Sequence, residues 1–139
     1  MNDQHTPIQV AIVPEEQRLA LPARLFGGHF LTIETTVYAF ADRLSPDYHG
    51  GYWDFYTLSN GGFYMAPSGT DTYHLNCDNY FEGDLVANSF GITCCFYTYS
   101  NLSFSEDEAL SELCTRHYHW LREAILDHPD GGLILAAAD

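Results

Sequence analysis

Residues Gly50–Pro67 read GGYWDFYTLSNGGFYMAP, and this stretch decides the fold class. Within Tyr52–Leu58, Trp53, Phe55 and Thr57 alternate with Tyr52, Asp54, Tyr56 and Leu58. A period of two with so many aromatic residues predicts a β-strand. Ser59-Asn60-Gly61-Gly62 reads as a hairpin turn, because Asn-Gly tolerates positive φ at both turn positions. Phe63–Ala66 is then the return strand, stopped by Pro67. A second turn at Ser68–Asp71 leads to Thr72–Asn76 as the expected third strand of a small antiparallel meander.

Upstream, the period changes. Phe30, Ile33, Val37, Phe40 and Leu44 step by three or four, which predicts a helix near His29–Leu44, closed by Ser45-Pro46. Glu34 lies beside that stripe. An unpaired buried carboxylate is costly, so Glu34 calls for a partner, with Arg18 or Arg24 the expected one. Pro14-Glu15-Glu16 reads as the start of a shorter helix, limited to about two turns by Pro22 and stopped by Gly27-Gly28. Residues 1–13 are expected to form a flexible arm with a short extended piece at Ile8–Val13, and residues 14–139 one domain.

Downstream, Asp84–Tyr99 is apolar nearly all round, the mark of a buried helix with Glu82 and Asp84 at its positive end. Its aromatic and β-branched content keeps a strand as the rival reading. Ser105 and Glu108 form a capping box for a long helix carrying Leu110, Leu113, Cys114, His117, Leu121, Ala124, Ile125 and His128. Pro129 and Gly131-Gly132 end it, and Leu133–Ala138 is a last short helix. The expected class is α+β: a single compact domain with a small three-stranded antiparallel sheet packed with four or more helices.

Charge narrows the function. Among 139 residues, 19 are Asp or Glu and five are basic, all arginines, for a net charge of −14. Such a chain lacks the clustered cations that grip a phosphate backbone, so neither direct nucleic-acid binding nor a membrane is expected. A basic protein surface is the natural partner. The start, MNDQHTPIQV, has no secretory pattern, and no apolar run reaches membrane-spanning length. A cytoplasmic location is expected, with Cys77, Cys94, Cys95 and Cys114 as reduced packing residues.

The residues that could carry chemistry do not converge. Cys114 and His117 share a helix face, but it is the apolar stripe, and zinc needs three or four ligands. His117 and His119 point away from each other. Cys94-Cys95 sits where a thiolate is disfavoured. No zinc-peptidase, nucleophile-elbow or phosphate-loop motif occurs. A DNA mimic needs carboxylates spaced like phosphates, about one charge per 1.7 Å of duplex. Here the longest acidic run is Glu106-Asp107-Glu108, and Glu108, Glu112 and Arg116 suit ordinary helix-surface pairing. Of the adjacent Tyr52 and Trp53, one should face solvent, and exposed Trp, Tyr and Arg are typical interface anchors.

Three further stretches flank the hairpin: Arg18–Phe26, RLALPARLF, running on into GGHFLTIETTVYAFADRLS; Asn79–Gly91, NYFEGDLVANSFG; and the C-terminal YHWLREAILDHPDGGLILAAAD. With Gly50–Pro67, and in this order from about Pro14 to Asp139, they resemble the KlcA/ArdB family of antirestriction proteins. The segment around Asp47–Gly51 runs slightly longer than the family pattern. The resemblance implies a compact α+β protein of a bacterial cytoplasm, carried by mobile elements such as plasmids. It implies relief of type I restriction of unmodified incoming DNA, without enzymatic activity or cofactor, and unlike the elongated DNA mimics of the ArdA and phage types. The shared polar positions it points to are Arg18, Glu34, Trp53 and Asp139, to which the surface argument adds Tyr52, Asp54 and Asp84. The expected partner is the type I restriction-modification complex or an associated host factor, met by a monomer through an interface centred on Trp53, so that Trp53→Ala should abolish protection and leave the fold intact. Two alternatives stand beside this: an acidic DNA mimic competing for the restriction enzyme, and an unrecognised metal or thiol enzyme.

Overall fold

The computed structural model describes residues 5–138. Its first strand, β1 (Val10–Ile12), lies before the helices in sequence but beside the hairpin in space. A single 3-10 turn (Glu15–Gln17) leads to α1 (Ala20–Phe26), a second (Gly27–His29) to α2 (Phe30–Leu44). The hairpin strands β2 (Trp53–Leu58) and β3 (Phe63–Pro67) follow, then β4 (Thr72–Asn76) and β5 (Glu82–Val86). Three helices complete the chain: α3 (Ala87–Leu102), α4 (Glu108–Asp127) and α5 (Gly131–Ala138).

The α+β class and the three-stranded antiparallel sheet stand, but the third strand is a different one. The sheet order is β1-β2-β3, and β4 pairs with β5 in a separate two-stranded ribbon. The expected meander fails because the outer edge of β3 is already occupied. Helix α3 lies along it, so close that a Cβ on Gly91 would stand 2.3 Å from the Ala66 Cα. Only glycine permits that approach. The supposed arm at residues 1–13 is likewise not separate in its described part. Val10–Ile12 pairs with Tyr56–Leu58, and Asp127 accepts hydrogen bonds from the Ile8 amide at 2.9 Å.

Other boundaries move for local reasons. The hairpin loop is Ser59–Gly61, three residues long, with positive φ at Gly61 alone. The Leu58 amide pairs with the Gly62 carbonyl and the Gly61 amide closes on the Leu58 carbonyl, so a three-residue loop with one left-handed glycine replaces the expected Asn-Gly turn with positive φ at both positions. Both readings of Asp84–Tyr99 hold in part. Glu82–Val86 is strand with Leu85 turned inward, and the helix begins at Ala87. Glu82 and Asp84 therefore do not sit on a helix. The long helix is capped by Asp107, whose carboxylate accepts from the Leu110 amide at 3.2 Å. A carboxylate at that end meets the helix dipole as well as an orphan N–H, and outcompetes Ser105. Pro22 sits in the first turn of α1, where no intrahelical N–H is needed, so it starts that helix instead of ending it.

The core forms where the sheet, α1, α2 and α3 meet. Phe63 packs edge-on against Phe26, Phe30 and Phe55. α3 is buried on nearly every side, as its uniform hydrophobicity requires. No described helix is long and apolar enough to cross a membrane.

Candidate functional site

The candidate residues divide between two places. Arg18, Glu34, Tyr52, Trp53 and Asp54 gather around the start of β2, and Asp84 lies on the β4–β5 ribbon. Asp139 lies outside the described residues.

Trp53 and Tyr52 part as strand alternation demands. Trp53 is the inward one, 1% exposed, against Tyr38 and Tyr48, with its indole N–H donating to the Tyr48 hydroxyl at 3.3 Å. It is therefore a core residue and cannot itself meet a partner. Tyr52 is 52% exposed and donates its hydroxyl to Glu15 at 2.7 Å. That bond to a carboxylate is the main reason the Tyr52 phenol is raised above its usual range.

Arg18 ties the two together. Its guanidinium donates to the Trp53 carbonyl at 2.8 Å and stands 4.4 Å from the Tyr52 ring centre and 4.0 Å from that of Phe55. Stacking and one anchoring hydrogen bond hold the fork in one orientation. Among the described residues no other acceptor takes up its remaining N–H groups. Glu34 is not paired with Arg18 or Arg24 as expected. It accepts from the Tyr38 hydroxyl at 3.3 Å, one helical turn on. Burial, reinforced by the Glu34 charge and this bond, raises the Tyr38 phenol strongly. The half-buried carboxylate is satisfied by a neutral donor, so no ion pair is required.

Asp84 belongs to a second polar cluster. Its carboxylate meets His74 Nδ1 at 2.7 Å, Glu82 meets His74 Nε2 at 2.9 Å, and Asp47 accepts from the His74 amide at 2.8 Å. The two carboxylates raise the His74 pKa, Asp84 first. An open depression of about 550 Å³ runs past His74, Asp78 and Glu82. At the ribbon's tip Tyr80 is 96% exposed in the left-handed region, φ 71°, a conformation that costs a bulky residue strain. It stands within the NYFEGD stretch and could have been found only from backbone geometry.

Chemical groups elsewhere are quiet. All four cysteines are free and buried. Burial raises Cys95 and Cys114 to about 12 and Cys94 far above its usual range, so no thiolate is available at neutral pH. No three His, Cys, Asp or Glu side chains among the described residues are grouped to hold a metal ion. His117 is buried against Phe26, Tyr99 and Trp120, and its pKa is lowered to about 4, chiefly by burial.

Known proteins share this architecture and sequence. The family described as antirestriction protein matches residues 46–139. The chain is 36% identical to an antirestriction protein KlcA of Escherichia coli over 143 residues, covering all of both chains. It is also 36% identical to the uncharacterized protein YfjX of E. coli K12 over 144 residues, 99% of this chain and 92% of that one. A solved KlcA/ArdB structure superposes with a TM-score of 0.89 at 34% identity over the whole of both chains. The KlcA and ArdB proteins are described there as having a novel fold and antirestriction activity against type I DNA restriction systems in vivo but not in vitro. With a match over its hairpin, ribbon and C-terminal helices, and a relative aligned from end to end, this chain belongs to the antirestriction protein family.

Proposed function

We propose that this chain relieves type I restriction of unmodified incoming DNA by binding, without catalysis, in the cytoplasm of a bacterial host, to the benefit of a plasmid or other mobile element. The observation that carries the reading is the end-to-end likeness to KlcA and ArdB, whose activity against type I systems is found in vivo but not in vitro. An inhibitor effective only in the cell acts through a component that purified enzyme lacks. The restriction complex in its cellular setting, or a host factor working with it, is the proposed partner.

The interface would centre on Arg18 and Tyr52, with Asp54 and Glu34 beside them. A guanidinium held by ring stacking and one carbonyl offers its remaining donors to a partner carbonyl or carboxylate at little ordering cost. The net charge of −14 speeds encounter with a basic partner. Trp53 supports the site from below. Trp53→Ala should cost about 3–5 kcal/mol of stability, so loss of activity in that variant would report unfolding.

Plating of unmodified phage on cells with a type I system, with and without the protein, tests the reading. Recovery is expected under the type I system and not under a type II system. Arg18→Ala should keep the fold and lower recovery. No recovery with soluble wild-type protein would overturn the proposed function. A DNA mimic would instead compete with DNA for purified enzyme and weaken steeply with salt.

A further inference from the structure

The register of β1 on β2 determines which backbone groups point outward. The Ser59 amide donates to Gln9 and the Val13 amide to Phe55, so Gln9, Ala11 and Val13 turn inward to β2. Val10 and Ile12 therefore point their two N–H and two C=O groups away from the sheet. No described residue pairs with them, because β1 is the edge strand. The open length is bounded: the Ile8 amide is taken by Asp127, and the Pro14 carbonyl accepts from Gln17.

We propose that this edge is a docking site for a short, extended, basic segment of the partner protein, which joins the sheet as a fourth strand. The inference rests on the binding role proposed above and names the chemistry of what is bound. Four main-chain groups in strand geometry select an extended peptide over a helix, and alternate side chains supply the specificity. Open edges are ordinarily blunted by short length, proline, lysine, a bulge, an inward charge or a covering loop; β1 is short, three residues with Pro14 two beyond it, which limits the occupant to a short segment. Here the chain has no lysine, and the edge carries Val10 and Ile12, 48% and 57% exposed. The flanking charge is negative: exposed Glu15 and Glu16 follow at once, while Asp127 under Ile8 is already met by His5 Nε2 at 2.7 Å. A second copy would bring the same acids and its own −14, so a Lys- or Arg-bearing segment is the occupant that fits. The edge continues the Arg18 site, since β1 covers Tyr56–Leu58 while Arg18 sits over Phe55.

Proline scanning of the full chain separates the two backbone directions. Val10→Pro and Ile12→Pro remove outward N–H groups, which an edge strand tolerates. They should keep the wild-type melting temperature while recovery of plated phage falls about tenfold or more. Ala11→Pro removes an inward bond to Thr57 and should lower the melting temperature. Ile12→Lys keeps the backbone and adds charge against a basic segment, so it serves if a proline variant does not fold. It too should lose recovery at normal stability. Full protection by folded Val10→Pro, Ile12→Pro or Ile12→Lys overturns the proposal even if the wild type is active.

A second readout is independent of restriction. Amide exchange of the wild-type chain with an alternating Lys-Val peptide should slow at Val10 and Ile12, and should not with a Glu-Val peptide. No slowing with the basic peptide, or slowing with protein concentration alone, overturns the assignment; the latter would give the edge to a second copy.

Discussion

The two outer edges of the three-stranded sheet meet different surroundings. At β3, the outward groups of Phe63 and Met65 meet side chains of α3. The Tyr99 hydroxyl donates to the Phe63 carbonyl at 2.7 Å, and the Met65 amide donates to Cys95 Sγ at 3.4 Å. At β1, the equivalent groups of Val10 and Ile12 point outward and have no partner among the described residues. A buried edge must be satisfied by the protein, and α3 achieves this with two side chains and a bare Cα at Gly91. A solvated edge has water as its partner and is free to exchange it for another chain. The same backbone chemistry is structural on one side and available on the other.

The comparison can be broken most severely at Gly91. Gly91→Leu would drive a side chain into the β3 backbone, and the cost should be about 3 kcal/mol or more, seen as a lower denaturant midpoint. A near-native midpoint would mean that α3 is not seated on that edge as described.

Acid should loosen the same side next. His117 lies 5.4 Å from Tyr99, and its pKa falls from an ordinary 6.5 to about 4 in the folded chain. The unfolded chain binds the proton first, so this contribution is complete above pH 6.5, declines as pH falls and is gone below about 4. The full loss is about 3 kcal/mol. His117→Phe should flatten the stability profile between those limits, and an unchanged slope would assign it to the carboxylates instead.

Tyr99→Phe tests a single cap on the buried edge. It leaves the Phe63 carbonyl unpaired and should cost about 1–3 kcal/mol by chemical denaturation. The smallest effect is kinetic. In the wild-type chain the Met65 amide should exchange orders of magnitude more slowly than those of Val10 and Ile12. Comparable rates at both edges would erase the distinction.

Much of this was legible beforehand. Alternation in Tyr52–Leu58 foretold the strand and required that Tyr52 and Trp53 part. The apolar run through Cys94 and Cys95 foretold a buried helix with inert thiols. The motifs that resemble KlcA and ArdB pointed to the family, which the comparisons with known proteins show, and proposed Arg18 as an interface residue. They also pointed to Trp53, whose burial depends on which face of the sheet the helices cover. The Glu34–Tyr38 bond was a local i to i+4 contact, and the arginine expectation overlooked it because a carboxylate suggests a cation first. The third strand was misassigned by adjacency, since the turn at Ser68–Asp71 is equally compatible with pairing and with departure.

Sequence alone determined the periodicities, the charge, the quiet cysteines and the family, because each depends on residues near one another in the chain or on composition. Tertiary structure alone decided that β1 and not β4 completes the sheet, that Trp53 is core, and that Arg18 is held over Tyr52 and Phe55. Those outcomes depend on which distant surfaces exclude water from each other. Gly91 illustrates the division: unremarked within an apolar helix, it becomes decisive only where α3 meets Ala66.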